Sequence, residues 1–141
     1  MTAVPTAPDV TACYPQVQQF YAAQMQRLDA RDISGYAATF TEDAEFAHTP
    51  GRPAARTSDG IVRDLTEFHR RFVDDPMQRR HWFGMIHLVP QEDGSLESTA
   101  YCLVVKARPA EQPVFVSCVV HDCLVWVDGQ LLTRSRRVDH D

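Results

Sequence analysis

The sequence predicts an α+β domain in which three helices lie on one face of a curved, mostly antiparallel sheet. Two observations support this fold class. The N-terminal half holds three segments whose apolar residues recur every three or four positions, as they do along one side of a helix. The C-terminal half holds four long runs rich in Val, Leu, Phe and Tyr, separated by short turns. Helices followed by a meander of strands are typical of α+β folds.

Length and composition indicate one domain of 141 residues, 44% of which are hydrophobic. The net charge of −5 and the lack of a Lys/Arg run argue against nucleic acid or a membrane as partner. The four cysteines lack the spacing of a zinc site and no signal peptide precedes them, so we expect reduced thiols in a cytoplasmic protein. No histidine pair stands at ligand spacing with a carboxylate, so we expect no metal site.

The first helices follow a short arm. Residues 1–12 contain prolines among small residues and are expected to be flexible, and a single domain is expected over residues 13–141. One apolar stripe predicts a first helix from about Tyr14 to Leu28. Asp32 is a suitable N-cap for a second helix over Ile33–Phe40.

A short strand and a third helix come next. The strand is expected over Ala44–Thr49, because the Pro-Gly-Arg-Pro segment 50–53 cannot continue a ladder. Thr57 or Ser58 can cap the helix, whose apolar residues follow at spacings of four, three and four. The Asp-Asp-Pro segment 74–76 ends it.

The rest of the chain is predicted to be strand. The four long strands are expected at Arg79–Pro90, Ser95–Arg108, Pro113–Val127 and Leu131–Val138. In the first of them apolar residues occupy both alternating sets of positions, which predicts a central strand covered on both faces.

Several local patterns carry a family resemblance. They are the turn and second helix Leu28–Tyr36, the strand start Phe40–Ala44, the strand opening Arg80–Trp82, the hairpin Asp128–Leu131 and the terminal Arg136–Val138. In this order they resemble the nuclear transport factor 2-like superfamily, and within it the SnoaL-like and scytalone-dehydratase-like branches. The resemblance covers nearly the whole chain. It implies a cone-shaped sheet, an α+β barrel, wrapped around the three N-terminal helices.

The resemblance also implies a candidate catalytic pair. In the dehydratase branch an aspartate that ends the first helix faces a histidine on the central strand, and Asp29 and His81 occupy the matching positions. A carboxylate that accepts one ring N–H raises the basicity of the other nitrogen, which can then shuttle a proton near neutral pH. The structural alternative is that Asp29 only ends a helix and His81 is a hydrogen-bonded core histidine.

Two further histidines are candidate catalytic residues. His48 stands where the dehydratase has a substrate-contacting tyrosine and could donate a hydrogen bond to a substrate oxygen, unless it is a solvated strand end. His121 could correspond to a substrate-binding asparagine of the dehydratase. Because strand residues alternate, one of His121 and Asp122 must point into the cone. The alternative for Asp122 is a salt bridge to Arg134 or Arg136.

Aromatic and thioether residues are expected to line a pocket for a flat, partly apolar ligand, with plain core packing as the alternative. The candidate substrate-binding residues are Tyr21, Met25, Tyr36, Phe40, Phe83, Met85 and Tyr101. The chain departs from the dehydratase pattern at Leu28, where the family has a tyrosine, and at Cys102, where it has a histidine. These departures suggest a related proton transfer on another substrate. His69, His87 and His140 are interpreted as structural or solvated.

The superfamily hosts many functions, so the fold alone does not select one. The first hypothesis is a cofactor-independent dehydratase, cyclase or isomerase of secondary metabolism that acts on an aromatic or polyketide-type small molecule. The alternatives are a non-catalytic ligand-binding or assembly domain, the β-like partner subunit of an oxygenase, and epoxide-hydrolase-type chemistry. We also expect a homodimer through an apolar sheet face that carries Leu103, Val105 and Val116 or their opposite-facing neighbours.

Overall fold

A computed structural model describes residues 6–141 of the chain. Its helices are α1 Val10–Asp29, α2 Ile33–Ala37 and α3 Thr57–Arg70. Its strands are β1 Phe40–Ala47, β2 Ala55–Arg56, β3 Gln78–Pro90, β4 Leu96–Ala107, β5 Val114–Val127 and β6 Gln130–His140. The order of elements confirms the α+β fold class predicted from the sequence.

The six strands form one curved sheet in the order β2-β1-β6-β5-β4-β3. Strands β3 to β6 are an antiparallel meander, whereas β1 runs parallel to β6 and antiparallel to β2. The two edge strands, β2 and β3, do not pair with each other, so the cone stays open along one side. The predicted mostly antiparallel sheet is therefore confirmed, with an unclosed outline.

Three predicted boundaries at the N-terminal side were wrong. Helix α1 begins at Val10, inside the segment predicted to be a flexible arm, because the Asp9 carboxylate accepts the backbone N–H of Thr11 at 3.0 Å and caps the helix. Residues 1–5 of that arm lie outside the described residues. Helix α2 ends at Ala37 and β1 begins at Phe40, where the chain already pairs with β6.

Strand β3 is an edge strand, so the prediction of a central strand was wrong. Its first neighbour is β4, and no strand of the described chain pairs with its other side. The apolar residues on its outer face remain exposed, with 66% of Trp82 and 77% of Met85 accessible. The two alternating sets of apolar residues in β3 therefore belong to two different surfaces, the inner face toward the pocket and an exposed outer face.

A β-bulge in β3 reverses which residues face the helices. From Gly84 to His87 the chain of β3 advances three residues where β4 advances only two, and Met85 takes up the extra residue with a φ of 50°. His81 and Phe83 face inward before the bulge, whereas Leu88 faces inward after it. The bulge therefore places Met85 and His87 on the outer face.

Charged residues are buried at the centre of the sheet. The Arg136 guanidinium on β6 makes two hydrogen bonds to the Asp122 carboxylate on β5, at 2.9 and 2.7 Å. It also donates to the Tyr36 hydroxyl at 2.8 Å and to the Gln24 side-chain carbonyl at 2.7 Å. The second Asp122 oxygen accepts the Tyr21 hydroxyl at 2.8 Å. The salt bridge that the sequence offered as the alternative role of Asp122 is thus present.

We expect Asp122→Ala to lower the free energy of unfolding by about 3–5 kcal/mol, because it leaves a buried guanidinium without its counter-ion. Urea denaturation monitored by circular dichroism measures this change. The matched control is Asp139→Ala, which removes an exposed partner of Arg137 and should leave stability close to that of the unmodified chain. Equal stability of the two variants would contradict the role given to the Asp122–Arg136 pair.

Candidate active site

A cavity of about 270 Å³ lies between the concave face of the sheet and the helices α1 and α3. Most of its wall is apolar, including Met25, Leu65, Phe68, Phe83, Val104 and Val116. Core residues of the cluster that contains Leu88, Leu96 and Leu124 fill the opposite part of the cone. Among the described residues, this cavity therefore lies near the N-terminal end of β3.

Asp29 and His81 meet in this cavity. Asp29 is the last residue of α1, and one of its carboxylate oxygens accepts the ring Nδ1–H of His81 at 2.6 Å. The other oxygen accepts the backbone N–H of His81 at 3.1 Å. The Gln78 side-chain amide donates to the backbone carbonyl of Asp29 at 2.9 Å and joins the helix end to the strand.

This arrangement suits the histidine to act as a base. Because Nδ1 carries the donated hydrogen, the neutral ring presents the lone pair of Nε2. No side chain of residues 6–141 occupies Nε2 with a hydrogen bond. The His81 side chain is 17% exposed and the Asp29 side chain 7% exposed, so the carboxylate is shielded while the imidazole reaches the cavity.

A second histidine–carboxylate pair lies in the same wall. The Nε2–H of His48 donates to Asp64 of α3 at 2.6 Å, and its Nδ1 lies 3.4 Å from the Thr49 hydroxyl. The ring stacks on Phe46 with centroids 4.7 Å apart. Because Asp64 takes its N–H, neutral His48 has no hydrogen left to donate to a substrate oxygen, contrary to the role suggested from the sequence. Asp64 was not predicted from the sequence, because it lies near His48 only after α3 packs on β1.

His121 lies outside the cavity, so its predicted place in the pocket was wrong. The alternation along β5 turns Asp122 inward and His121 outward, where His121 pairs with Asp139 at 3.2 Å. The choice was open in the sequence because alternation fixes which residues share a face but not which face is inside.

The predicted substrate-binding residues fall into three groups. Met25, Tyr36 and Phe83 line the cavity. Tyr21 and Phe40 are buried in the core beside it. Met85 and Tyr101 lie on the outer face, so their predicted place in the pocket was wrong. The bulge turns Met85 outward, and Tyr101, 59% exposed, stands opposite Gly84 on the outer face.

Arg136 is a cavity residue that the sequence analysis did not assign to the site. Burial alone lowers the pKa of its guanidinium, but Asp122 and Tyr36 outweigh burial and hold that pKa well above its ordinary value. Burial raises the pKa of Tyr36 despite the nearby guanidinium, so Tyr36 is a neutral phenol. Its oxygen accepts from Arg136, which leaves its O–H able to donate to another group.

His69, His140 and Cys102 also line the cavity, but their chemical roles are more limited than that of His81. His69, interpreted as structural from the sequence, lines the cavity and donates Nδ1–H to the Leu65 carbonyl at 2.8 Å. His140 also lines it. Burial and the neighbouring Cys118 raise the pKa of the Cys102 thiol to about 12, so Cys102 is a poor nucleophile at neutral pH.

Neither a metal cluster nor a membrane span is found in the part of the chain that the structure describes. No three His, Cys, Asp or Glu side chains of residues 6–141 form a group that could hold a metal ion. Over the same range no helix combines the length and the apolar character needed to cross a bilayer.

Comparison with known proteins identifies the family. The sequence profile of the SnoaL-like domain matches residues 11–137. This chain belongs to the SnoaL-like family. No curated protein sequence matches it significantly. The family match confirms the resemblance drawn from the local motifs and places the chain in the nuclear transport factor 2-like superfamily.

Solved structures of SnoaL-like relatives have the same fold. ActVI-ORFA from Streptomyces coelicolor is 51% identical, with a TM-score of 0.86 over 92% of this chain and 98% of that one. A protein from Catenulispora acidiphila, solved in complex with S-DNPA, is 45% identical, with a TM-score of 0.84 over 93% and 95% of the two chains. Aln2 from a Streptomyces species is 35% identical, with a TM-score of 0.85 over 95% and 94%.

We expect this SnoaL-like protein to lose stability as the pH falls through and below about 6.5, the ordinary pKa of an exposed histidine. Burial, the largest cause, lowers the pKa of His48 and of His69 in the folded state. At pH values between these lowered folded pKa values and the unfolded value of about 6.5, the unfolded chain binds more protons than the folded chain. The free energy of unfolding therefore decreases as the pH decreases. Urea denaturation at several pH values measures the slope.

The double variant His48→Gln/His69→Gln tests the cause of this slope. It should flatten the slope, whereas His121→Gln on the outer face should retain it. A slope unchanged in the double variant would assign the pH dependence to other groups.

Proposed function

We propose that this protein is a cofactor-independent enzyme of secondary metabolism that transfers protons within an aromatic or polyketide-type small molecule. The net reaction is a dehydration, a cyclisation or an isomerisation. The observation that carries the proposal is the Asp29–His81 pair, with Nδ1 bound to the carboxylate at 2.6 Å and Nε2 free on a largely apolar cavity. A base held in this way is suited to removing an acidic proton beside a carbonyl.

A dehydration would proceed in two proton transfers. The Nε2 lone pair of His81 takes a proton from the carbon beside the substrate carbonyl and leaves an enolate. The Asp29 carboxylate stabilises the imidazolium that forms. The same Nε2–H then protonates the departing hydroxyl, so that water and a carbon–carbon double bond form and the neutral imidazole is restored. An isomerisation differs in that the proton returns to another carbon.

Tyr36 is placed to assist at the substrate oxygen. Its hydroxyl is polarised by the hydrogen bond that it accepts from Arg136 at 2.8 Å, and it lines the same cavity as His81. A neutral phenol can donate to an enolate oxygen as negative charge develops there. We therefore give Tyr36 the role that the sequence analysis had suggested for His48.

Features of the cavity and of the relatives support a small-molecule substrate. The volume of about 270 Å³ lies just below the range of about 300–1,000 Å³ that is usual for ligand pockets, and apolar walls suit a flat ring system. The Catenulispora relative was solved with S-DNPA bound, so a SnoaL-like protein 45% identical to this one holds a small molecule. We infer that this chain uses its cavity in the same general way.

We expect His81→Ala and Asp29→Asn each to reduce turnover by roughly 10²–10⁴-fold, because the first removes the base and the second removes the charge that stabilises the imidazolium. Suitable test substrates are S-DNPA and a panel of aromatic β-hydroxy ketones. Mass spectrometry detects loss of water, and proton NMR in deuterium oxide detects exchange of the hydrogen beside the carbonyl.

His121→Ala is the matched control, because it removes a histidine from the outer face and should leave turnover unchanged. Melting temperatures of all three variants verify the fold. Full turnover in His81→Ala would contradict the proposed mechanism. Ligand binding by the unmodified chain without any turnover or exchange would favour a non-catalytic binding domain.

The outer sheet face supports the proposal of a homodimer. Trp82 on β3 stands directly opposite Leu103 on β4, and both are exposed. Phe115 on β5 is 59% exposed and extends the apolar face toward the next strand. Of the residues named from the sequence, Leu103 and Val105 lie on the outer face, whereas Val116 faces the cavity. Contiguous apolar area of this kind marks association surfaces.

We expect a dimer at micromolar concentration, and we expect the double variant Trp82→Glu/Phe115→Glu to be monomeric because it places several like charges in a symmetric apolar interface. Light scattering coupled to size-exclusion chromatography measures the mass. Val127→Glu is the control, since Val127 is exposed at the far end of β5 and should not affect association. A monomeric unmodified chain would contradict the proposal.

A further inference from the structure

Two positive side chains stand directly opposite each other in the cavity wall. Arg79 on β3 and Lys106 on β4 are cross-strand partners, and both line the cavity. Like charges placed opposite each other in a sheet repel and lower stability. The pair lies in a chain whose net charge is −5, so an excess of basic residues does not account for its position.

Neither charge has a carboxylate partner among the described residues. Arg79 and Lys106 take part in no ion pair within 4.0 Å, and their side chains donate no hydrogen bond to residues 6–141. The Arg79 guanidinium instead lies over Phe72 and Phe68, 4.4 and 5.2 Å from their centroids. The two rings hold it in place without using its N–H donors.

The surrounding charges add to the positive potential. Arg31 also lines the cavity, and its guanidinium donates only to the neutral carbonyls of Phe72 and Met77, at 3.0 and 3.2 Å. The Asp75 carboxylate acts on Arg79, but it already accepts two hydrogen bonds from Arg108. Burial, followed by Arg31, lowers the pKa of Arg79.

We propose that the ligand of this cavity carries a carboxylate, which binds between Arg79 and Lys106. This inference rests on the proposed function and deepens it by naming the polar end of the substrate. A carboxylate matches the planar fork of the guanidinium and brings a negative charge to a part of the wall where neither Arg79 nor Lys106 has a carboxylate partner among the described residues. Its aromatic part would lie against the apolar wall toward Phe83 and Val104.

The position of the Arg79–Lys106 pair relative to His81 determines how the ligand would be oriented in the cavity. Arg79 and His81 are two residues apart on the same face of β3, which separates their Cα atoms by about 7 Å. Lys106 and Val104 are their partners on β4. The carboxylate would therefore bind at the Arg79–Lys106 pair, two residues along the strand from the base. The reacting carbon would lie a few bonds from the carboxylate.

Binding of 2-naphthoate, compared with its neutral analogue 2-naphthamide, tests the inference by isothermal titration calorimetry. We expect the unmodified chain to bind the anion at least about tenfold more tightly than the amide, because hydrogen bonds to charged groups are stronger than those to neutral ones. Arg79→Gln should weaken 2-naphthoate about tenfold and leave 2-naphthamide unchanged. Raised salt should weaken the anion only.

Arg80→Gln is the matched control, because Arg80 is the neighbouring exposed arginine on the outer side of β3. It should leave both affinities unchanged. Equal affinity of the unmodified chain for the two probes would overturn the inference. Equal weakening of both probes by Arg79→Gln would also overturn it, since it would show that Arg79 only supports Phe68 and Phe72. Tighter binding of naphthyl phosphate than of 2-naphthoate would overturn the choice of a carboxylate.

The test separates this inference from the proposed enzyme activity. His81→Ala removes the base but should keep the preference for 2-naphthoate over 2-naphthamide, because the proposed carboxylate site lies at Arg79 and Lys106. Selectivity for the anion without turnover would uphold the carboxylate site and contradict the catalytic role of His81. Turnover that depends on His81, without selectivity for the anion, would do the reverse.

Discussion

The Asp29 carboxylate ties together the parts of this fold on which the cavity depends. One oxygen holds the backbone of β3 at His81 and the other holds the imidazole of the same residue. Because Asp29 also ends α1, the end of the helix, the beginning of the strand and the orientation of the ring are set by one side chain. The ring is thereby fixed in one tautomer before any ligand arrives, so little ordering is needed at the moment of reaction.

Two aspartate–histidine pairs in one wall have different chemical capacities. Both hydrogen bonds are 2.6 Å long, but Asp29 binds Nδ1 of His81, whereas Asp64 binds Nε2 of His48. Nε2 lies at the far end of the ring from the backbone, so leaving it free places a basic nitrogen well into the cavity. Leaving Nδ1 free keeps the basic nitrogen beside the histidine's own main chain, where Thr49 contacts it. The geometry therefore favours His81 as the base and His48 as part of the wall.

The order of elements was predicted from local periodicity and caps, whereas the Asp29–His81 contact was implied by the family resemblance. Helix periodicity and caps depend on residues that are near in sequence. The motifs around Asp29 and His81, which carry the family resemblance, are also local in the sequence. The bulge at Gly84–Met85 is not, since its extra residue is defined only by pairing with β4. That single residue reversed the faces assigned to Met85 and the positions after it. The sequence left open which of His121 and Asp122 faces inward for a related reason, because burial of Asp122 depends on Arg136 from the next strand.

Charge is distributed unevenly along the cavity, and the unevenness has a physical consequence. At the inner end Arg136 is compensated by Asp122 and held by Tyr36 and Gln24, so its charge is neutralised within the fold. At the β3 strand start Arg79 and Lys106 have no such partner among the described residues. A flat ligand with one anionic end would be stabilised in only one of its two orientations, the one that places the anion beside Arg79 and Lys106. The apolar walls would fix the plane of the aromatic ring, and Arg79 and Lys106 would fix which end of the ligand faces the β3 strand start. The imidazole of His81 lies between the apolar wall and these two cations.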